Sequence, residues 1–593
     1  MSQYTTYPVC LIPFLQNNDQ TREQMSASQM KQALILEDAE VPLVGTGYEN
    51  VEHLDLFIYK AKHDGKVILK TNKILLIQYD NEEWDYHQLE WYLESPLKKG
   101  DSFKQGDLLV NHISLEDGTL KFGKNVLTAY MECFGYCHED SIVFSESAAK
   151  KFTAECYEEI SFHISPNEVL LNLSDADGYK PLPEIGEKIK KNDPLALVKY
   201  LSNSPKGLFE EPKKITVDHD CEIFDIRVYI NDWCKNYSEY NQYLATLLEN
   251  SKHSFDQLTA LKNQFKLYEW KDIVDLLNCD IHKHKGYITN HGTKINGVTV
   301  IIGYKFKRET KVGDKFANRH GNKGVISKII PDDEMPMTPW GERIEVILGS
   351  LSIISRMNIG QLFELHSGLS MKFWKEQLLE IYKDDPKKAM ENIKYSLSKI
   401  DQTDDKWYSN YVNKIIDEKG PCKEIIEDLI LIQPPFQCMS YEDLKHFLLV
   451  GGADQDYEVE MKVENDDGEK EIVKIGPVPV GNMYIMKLSH TIESKLKARS
   501  VGNYARKTIQ PSSNTKSKKK GQRLGEMEVW ALMAYDAVEN LKEINIKSDD
   551  LGGKINVLRQ LYNTGFVKDV QLQSEPASLH LFRSYLNVLG LTF

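Results

Sequence analysis

What this sequence has little of narrows it first. Only nine cysteines are scattered through 593 residues, with no paired framework, which excludes a small disulfide-stapled scaffold and points to a reducing, cytosol-like compartment. No apolar run reaches the roughly 18 residues needed to cross a bilayer, and no apolar signal segment opens the sequence, so neither a membrane nor secretion is expected. There is no internal repeat and no Gly-x-x-x-x-Gly-Lys-Ser/Thr spacing, which excludes a Walker-type phosphate loop. Zinc-type ligand pairs are missing as well. Cys133, Cys137 and His138 form one cluster and Cys279, Asp280, His282 and His284 another, yet neither has a second pair at zinc-site spacing; both read as structural, with metal binding the lesser alternative.

What is present is a chain long enough for several domains of roughly 100 to 200 residues each. Its formal net charge of −15, from 73 Lys+Arg against 88 Asp+Glu, argues against a nucleic-acid binder only if the charges are mixed. They are segregated. Lys305, Lys307, Arg308, Lys311, Lys315, Arg319, Lys323 and Lys328 face only Glu309 and Asp314 in one short stretch, and between Lys487 and Arg523 nine further cations stand against the single acid Glu493. Such blocks are footprints for phosphates. Within the second block, Lys516 to Lys520 lacks apolar anchors and reads as a solvated loop.

The chain is strand-rich to about Tyr229. Tyr240, Tyr243, Leu244, Leu247 and Leu248, then Leu258, Leu261, Phe265 and Tyr268, form two stripes at helical spacing, an expected pair of antiparallel helices. Val298, Val300, Ile302, Tyr304 and Phe306 alternate as a strand with Lys305 and Lys307 on its other face. Gly360 to about Asp428 is expected to be helical, Glu464 to Glu471 a solvated turn and strand, and Met527, Trp530, Ala534, Ala537, Val538 and Leu541 one amphipathic helix.

The segment Gly313-Asp314-Lys315-Phe316-Ala317-Asn318-Arg319-His320-Gly321-Asn322-Lys323-Gly324 combines glycines, which permit close backbone approach, with cations for phosphate oxygens. From chemistry alone, phosphate contact is modestly preferred to a solvated turn. This segment resembles the G-D-K-x-x-x-R-H-G-N-K-G-V-I-S element of bacterial-type RNA polymerase β subunits. The resemblance continues in Ser355-Arg356-Met357-Asn358-Ile359-Gly360-Gln361 and in Gly521-Gln522-Arg523-Leu524-Gly525-Glu526 through Leu532, with weaker collinear matches at Leu11 to Leu15, Leu43 to Gly47, Gly135-Tyr136 and Glu139 to Ile142, and in the ending PASLHLFRSYLNVLGLTF.

The resemblance implies the C-terminal part of a β subunit, similar to the split β subunits of giant phages, and an α+β fold. Two separated stretches would build a double-psi β-barrel, with an inserted flap/wall domain and C-terminal clamp-associated helices. The corresponding division is 1–185 with the first barrel portion, 186–296 flap/wall-like, 297–365 the second barrel portion, 366–475 variable, and 476–593 a C-terminal anchor. A separate N-terminal β-type polypeptide, a β′-type polypeptide and a promoter-specificity factor are the implied partners, with template DNA, RNA and NTPs. Magnesium is the implied cofactor, its principal site on the β′-type partner. Asp175-Ala176-Asp177-Gly178, the nearest lure for that site, reads as a turn. The implied location is the cytoplasm, that of the host cell for a phage-encoded chain, with virion packaging left open.

The resemblance also assigns roles. Arg356 and Arg22 are expected on the triphosphate, where guanidinium offers bidentate donors, although Arg22 alone reads nearly as well as an exposed helix arginine. Lys315 and Lys323 are expected to hold phosphates near the RNA 3′ end. Glu139 and Asp140 are expected near a second, nucleotide-borne magnesium. Gln32, Arg319, His490 and Lys495 are expected as substrate or RNA contacts, with Ser489 capping a helix that presents His490. Ser28 and Lys31 depart from the family in its rifamycin-binding region, so weak rifamycin sensitivity is expected. The rivals are a noncatalytic nucleic-acid scaffold built on the same barrel and a self-contained barrel enzyme, the latter disfavoured by the missing aspartate motif.

Overall fold

The computed structural model describes residues 5–50, 58–70, 74–89, 92–116, 118–165, 168–173, 180–200, 211–231, 281–284, 288–290, 293–295, 298–400, 406–464, 470–496, 524–545, 551–568 and 577–592. The chain divides into two units, Met1–Ile492 and Glu493–Phe593. Among the described residues no helix is long and apolar enough to cross a membrane.

The alternating segment forms the strand Val298–Arg308, which buries Val300, Ile302, Tyr304 and Phe306 while Lys307 is exposed. It runs antiparallel to Ala154–Ile164 on one side and Cys221–Asn231 on the other. These neighbours answer its charges. Lys305 lies 3.7 Å from Glu222, Arg308 lies 3.5 Å from Glu158, and Lys307 pairs with Glu37. The first three cations of this basic block are thus each paired with a carboxylate, two of them on the neighbouring strands.

The first unit contains a closed six-stranded barrel. Its strands are β1 (Lys124–Tyr130), β2 (Ser141–Ser145), β3 (Lys315–Asn318), β4 (Lys323–Ile330), β5 (Val346–Leu348) and β6 (Val480–Lys487). Around the barrel the order is β1-β5-β2-β4-β3-β6, closed by antiparallel pairing of β6 with β1. Pairs β1-β5 and β2-β4 are parallel and the others antiparallel. Two separated stretches were expected to build such a barrel; a third, β6, completes it. All eight β6 residues are buried, so it carries no alternating signature in sequence.

β6 is covered by a long helix. The short helix α2 (Leu351–Arg356) ends at Met357, in the left-handed conformation, and α3 (Gly360–Asp384) follows and packs on β6. The contact is backbone to backbone: a Cβ on Gly368 would stand 2.3 Å from the Asn482 carbonyl oxygen, and one on Gly481 2.2 Å from that of Leu365. Glycine at both positions permits this approach. The expected helical region continues as Pro386–Ile400, Trp407–Lys419 and Lys423–Glu427; of the acidic run, Glu464 and Glu471 lie on the paired strands Tyr457–Glu464 and Lys470–Val478, and 465–469 lie outside the described residues.

In the second unit the single helix expected after Gly525 is two, Glu526–Ala534 and Val538–Asn545, broken where Asp536 takes φ 51°. The helical stripes from Tyr240 to Tyr268, the turn at Asp175 to Gly178, Cys279 and Asp280, and the basic run through Gly521 to Arg523 lie outside the described residues.

Candidate functional site

Helix α1 (Gln20–Met30) begins where the Asp19 carboxylate accepts the Thr21 N–H at 3.0 Å, an N-cap that meets an otherwise unpaired donor. Arg22 and Met25 lie three residues apart and Gln29 four further on, so they share one helix face, which Gln32 extends just past the helix end. That face forms one wall of a cleft of about 330 Å³. Asp140, Gly321, Lys323, Arg356 and His490 line the rest, and Ser28 adds to the α1 side.

The opposite wall is the β3-β4 hairpin. Register places Lys315 opposite Val325 and Ala317 opposite Lys323; because side chains alternate along a strand, Lys315 and Lys323 occupy the same face. The connecting loop meets α1 at Gly321. With φ +75°, its Cα is so close to α1 that a Cβ would stand 2.5 Å from the Arg22 carbonyl oxygen. Gly321 is thus the point where hairpin and helix touch.

Arg356 closes the cleft from the last turn of α2 and forms an ion pair with Asp140, whose side chain is half exposed. The Asp140 carbonyl accepts the Val325 N–H at 2.8 Å, which ties it to β4. Partial burial lowers the Arg22 pKa and the nearby Arg356 guanidinium lowers it further, while Asp140 and Asp19 oppose both effects. Three cations, Arg22, Lys323 and Arg356, therefore surround the cleft with one lining carboxylate, an arrangement that favours an anion carrying more than one charge.

His490 lies beside this wall, with Nε2 3.0 Å from Gln32 Oε1, and its carbonyl accepts the Lys315 N–H at 3.3 Å. The helix expected to start at Ser489 starts at Ile492 and spans only to Lys495. His490 follows a bend at Ser489, whose N–H donates to the Gln32 carbonyl at 2.9 Å. Lys315 begins β3 next to this contact but does not itself line the cleft.

Arg319 departs from its expected role. It is 1% exposed, donates through Nη2 to Glu364 at 2.8 Å and to the Val44 carbonyl at 2.7 Å, and stacks over Tyr484 at 5.0 Å. A guanidinium so enclosed has no surface for RNA. Burial pushes the Glu364 carboxyl up, but Arg319 and His320 together outweigh that and hold it at about 2. Glu139 takes φ 51° on an exposed loop and does not line the cleft. Lys495 is exposed and belongs to the second unit.

Among the described residues no group of three or more His, Cys, Asp or Glu side chains stands where it could hold a metal ion. Asp140 is engaged by Arg356. Cys133 and Cys137 are buried thiols, the latter pushed up to about 12, chiefly by burial. Met25 and Gln29 were not singled out from sequence, although the ten-residue interval between Arg22 and Gln32, close to three helical turns, marks the face that holds them.

Residues 10–517 match the family described as RNA polymerase Rpb2, domain 6, and residues 520–592 match RNA polymerase Rpb2, domain 7. The chain is 31% identical to the DNA-directed RNA polymerase subunit beta of Mycoplasmoides gallisepticum, over 100% of this chain and 43% of that protein. It is 31% identical to the subunit of the same name from Thermus aquaticus, over 98% of this chain and 49% of that one. The chain thus spans less than half the length of the curated relatives it matches.

Proposed function

The chain belongs to the RNA polymerase Rpb2 family, and on that premise we propose that it is the C-terminal β-type part of a DNA-dependent RNA polymerase, handling NTP and the RNA 3′ end. The observation that carries this is the cleft of Arg22, Lys323 and Arg356, three cations from three chain segments around one carboxylate. Nucleotide addition is an in-line attack of a 3′-hydroxyl on the α-phosphate with release of pyrophosphate, so alignment and charge neutralisation are what a protein must supply. Arg22 and Arg356 grip the triphosphate. Lys323, with Lys315 on the same hairpin face, holds phosphates at the RNA end. His490 and Gln32 form the nucleic-acid edge of the site.

A magnesium ion bound on a β′-type partner would supply Lewis acidity to this reaction. Glu139 and Asp140 belong to the proposal as groups near a second, nucleotide-borne ion; on this reading Asp140 leaves Arg356 when a triphosphate arrives. Lys495 is assigned to an RNA phosphate by the resemblance. The same reading makes the closed barrel of the double-psi type, with 186–296 flap/wall-like and the C-terminal helices clamp-associated. A second polypeptide with the N-terminal part of β, as in split phage subunits, and a promoter-specificity factor enter through resemblance alone; mass spectrometry of the natural complex tests both.

Reconstitution tests the function itself. The complex purified with its natural partners is expected to incorporate NTPs on a DNA template, and the isolated chain is not. Synthesis unaffected by omission of this chain would support a noncatalytic scaffold instead.

A further inference from the structure

The three cleft cations sit on three segments: Arg22 on α1, Lys323 on the hairpin, Arg356 at the end of α2. What fixes their separation lies behind the cleft wall, in residues that the chemistry above does not use. The Gly360 N–H donates to Asn18 Oδ1 at 3.2 Å, which orients that amide and turns its Nδ2 toward His320 Nδ1, 3.1 Å away. His320 Nδ1 therefore accepts, so the imidazole proton sits on Nε2 and is donated to Glu364 Oε2 at 2.5 Å. The other Glu364 oxygen accepts from Arg319 at 2.8 Å and from the Tyr484 N–H at 3.1 Å.

Two further bonds tie the same segments. Asn358 Nδ2 donates to the His320 carbonyl at 3.1 Å, and the Ser26 hydroxyl of α1 donates to the Arg319 carbonyl. Arg319, His320 and Glu364 are each at most 1% exposed. The start of α1, the hairpin loop and the chain between α2 and α3 thus meet in one buried polar knot with fixed donor directions.

The geometry points to Asn18, His320 and Glu364 as positioning residues that set the spacing of the Arg22 and Arg356 guanidiniums, and so their fit to a triphosphate. None of the three lines the cleft. The inference rests on the nucleotide-handling reading above and adds to it the residues that hold the phosphate grip in register. Groups that contact a ligand keep their geometry only when a supporting shell locks it, and a displacement of about 1 Å weakens such a grip severely.

Steady-state kinetics on the assembled polymerase tests it, with Asn18→Ala, His320→Gln and Arg356→Ala compared with the unaltered complex and Tm measured for each. Asn18→Ala is expected to raise KM for NTP about tenfold with kcat within about twofold, the signature of lost ground-state binding. His320→Gln is expected to do the same or more. Tm should stay within a few degrees for Asn18→Ala, because Asn18 is only half buried and its loss leaves the Arg319–Glu364 pair intact. Arg356→Ala monitors the underlying reading: an unchanged KM there sinks that reading and this inference with it. A raised KM in Arg356→Ala beside an unchanged KM in Asn18→Ala overturns the positioning role alone. So does a KM rise that merely follows a falling Tm, because general loosening moves both.

Discussion

Gly321 meets the backbone of Arg22: its φ is +75°, and a Cβ added to it would stand 2.5 Å from the Arg22 carbonyl oxygen. The hairpin that carries Lys323 and the helix that carries Arg22 are in contact there, with no room for a side chain. Gly321→Ala must accept a left-handed strain and push α1 away. A loss of about 1 to 3 kcal/mol in unfolding free energy is expected, the usual size of such backbone strain, together with weaker NTP use. Denaturant unfolding and KM measured together check this; an alanine variant as stable and active as the parent would show that the contact is loose.

Glu364 ties acid stability to the buried knot. Its folded carboxyl sits at about 2 against an ordinary 4.5. As pH falls below about 4.5 the unfolded chain takes up a proton that the folded chain refuses, so this group's stabilisation is complete above that pH and is lost as pH falls toward about 2. Glu364→Gln removes that dependence and leaves the buried Arg319 with only the more distant Glu49, 3.8 Å from its Nη1, at a cost of about 3 kcal/mol at neutral pH. Unfolding midpoints from pH 2.5 to 7 for both proteins check it, and parallel curves would contradict it.

Lys487 gives a slope of the same sign at alkaline pH, although here it is the charged form that folding disfavours. Burial lowers its ammonium and Asp314, 3.7 Å away, restores only part, leaving it at about 8. Between about pH 8 and the ordinary 10.5 the unfolded chain binds more protons than the folded one, so this group's contribution makes stability rise with pH across that window. Lys487→Met should flatten that part of the profile, and an identical slope in variant and parent would contradict it.

Much of this was legible in the sequence because local pattern and local structure coincide. The alternation from Val298 to Phe306 became a strand with the same inward face, and Arg22, Lys323, Arg356, Asp140, Gln32 and His490, distant in sequence, line one cleft. Arg319 was not legible, since an arginine in a glycine-rich loop reads as exposed until its partner Glu364, 45 residues later, is seen folded against it. β6 was missed because a strand buried on both faces does not alternate. The helix break at Asp536 was hidden by apolar residues that keep helical spacing on either side of it.

The Arg356–Asp140 pair is half exposed on its acidic side, so it holds the fold together only weakly. Asp140→Asn is expected to change unfolding free energy by less than about 1 kcal/mol. A thermal or denaturant titration checks it, and a loss of several kcal/mol would make the pair a structural element rather than a poised charge.

The central claim is that these cations grip the reacting phosphates. Its most direct test is kcat/KM for templated NTP incorporation by the assembled complex carrying Arg356→Ala or Lys323→Ala. Each charge-assisted contact of about 1.5 to 3 kcal/mol predicts a fall of roughly ten- to a hundredfold. Unchanged kcat/KM in both variants, with the complex intact, would contradict the account.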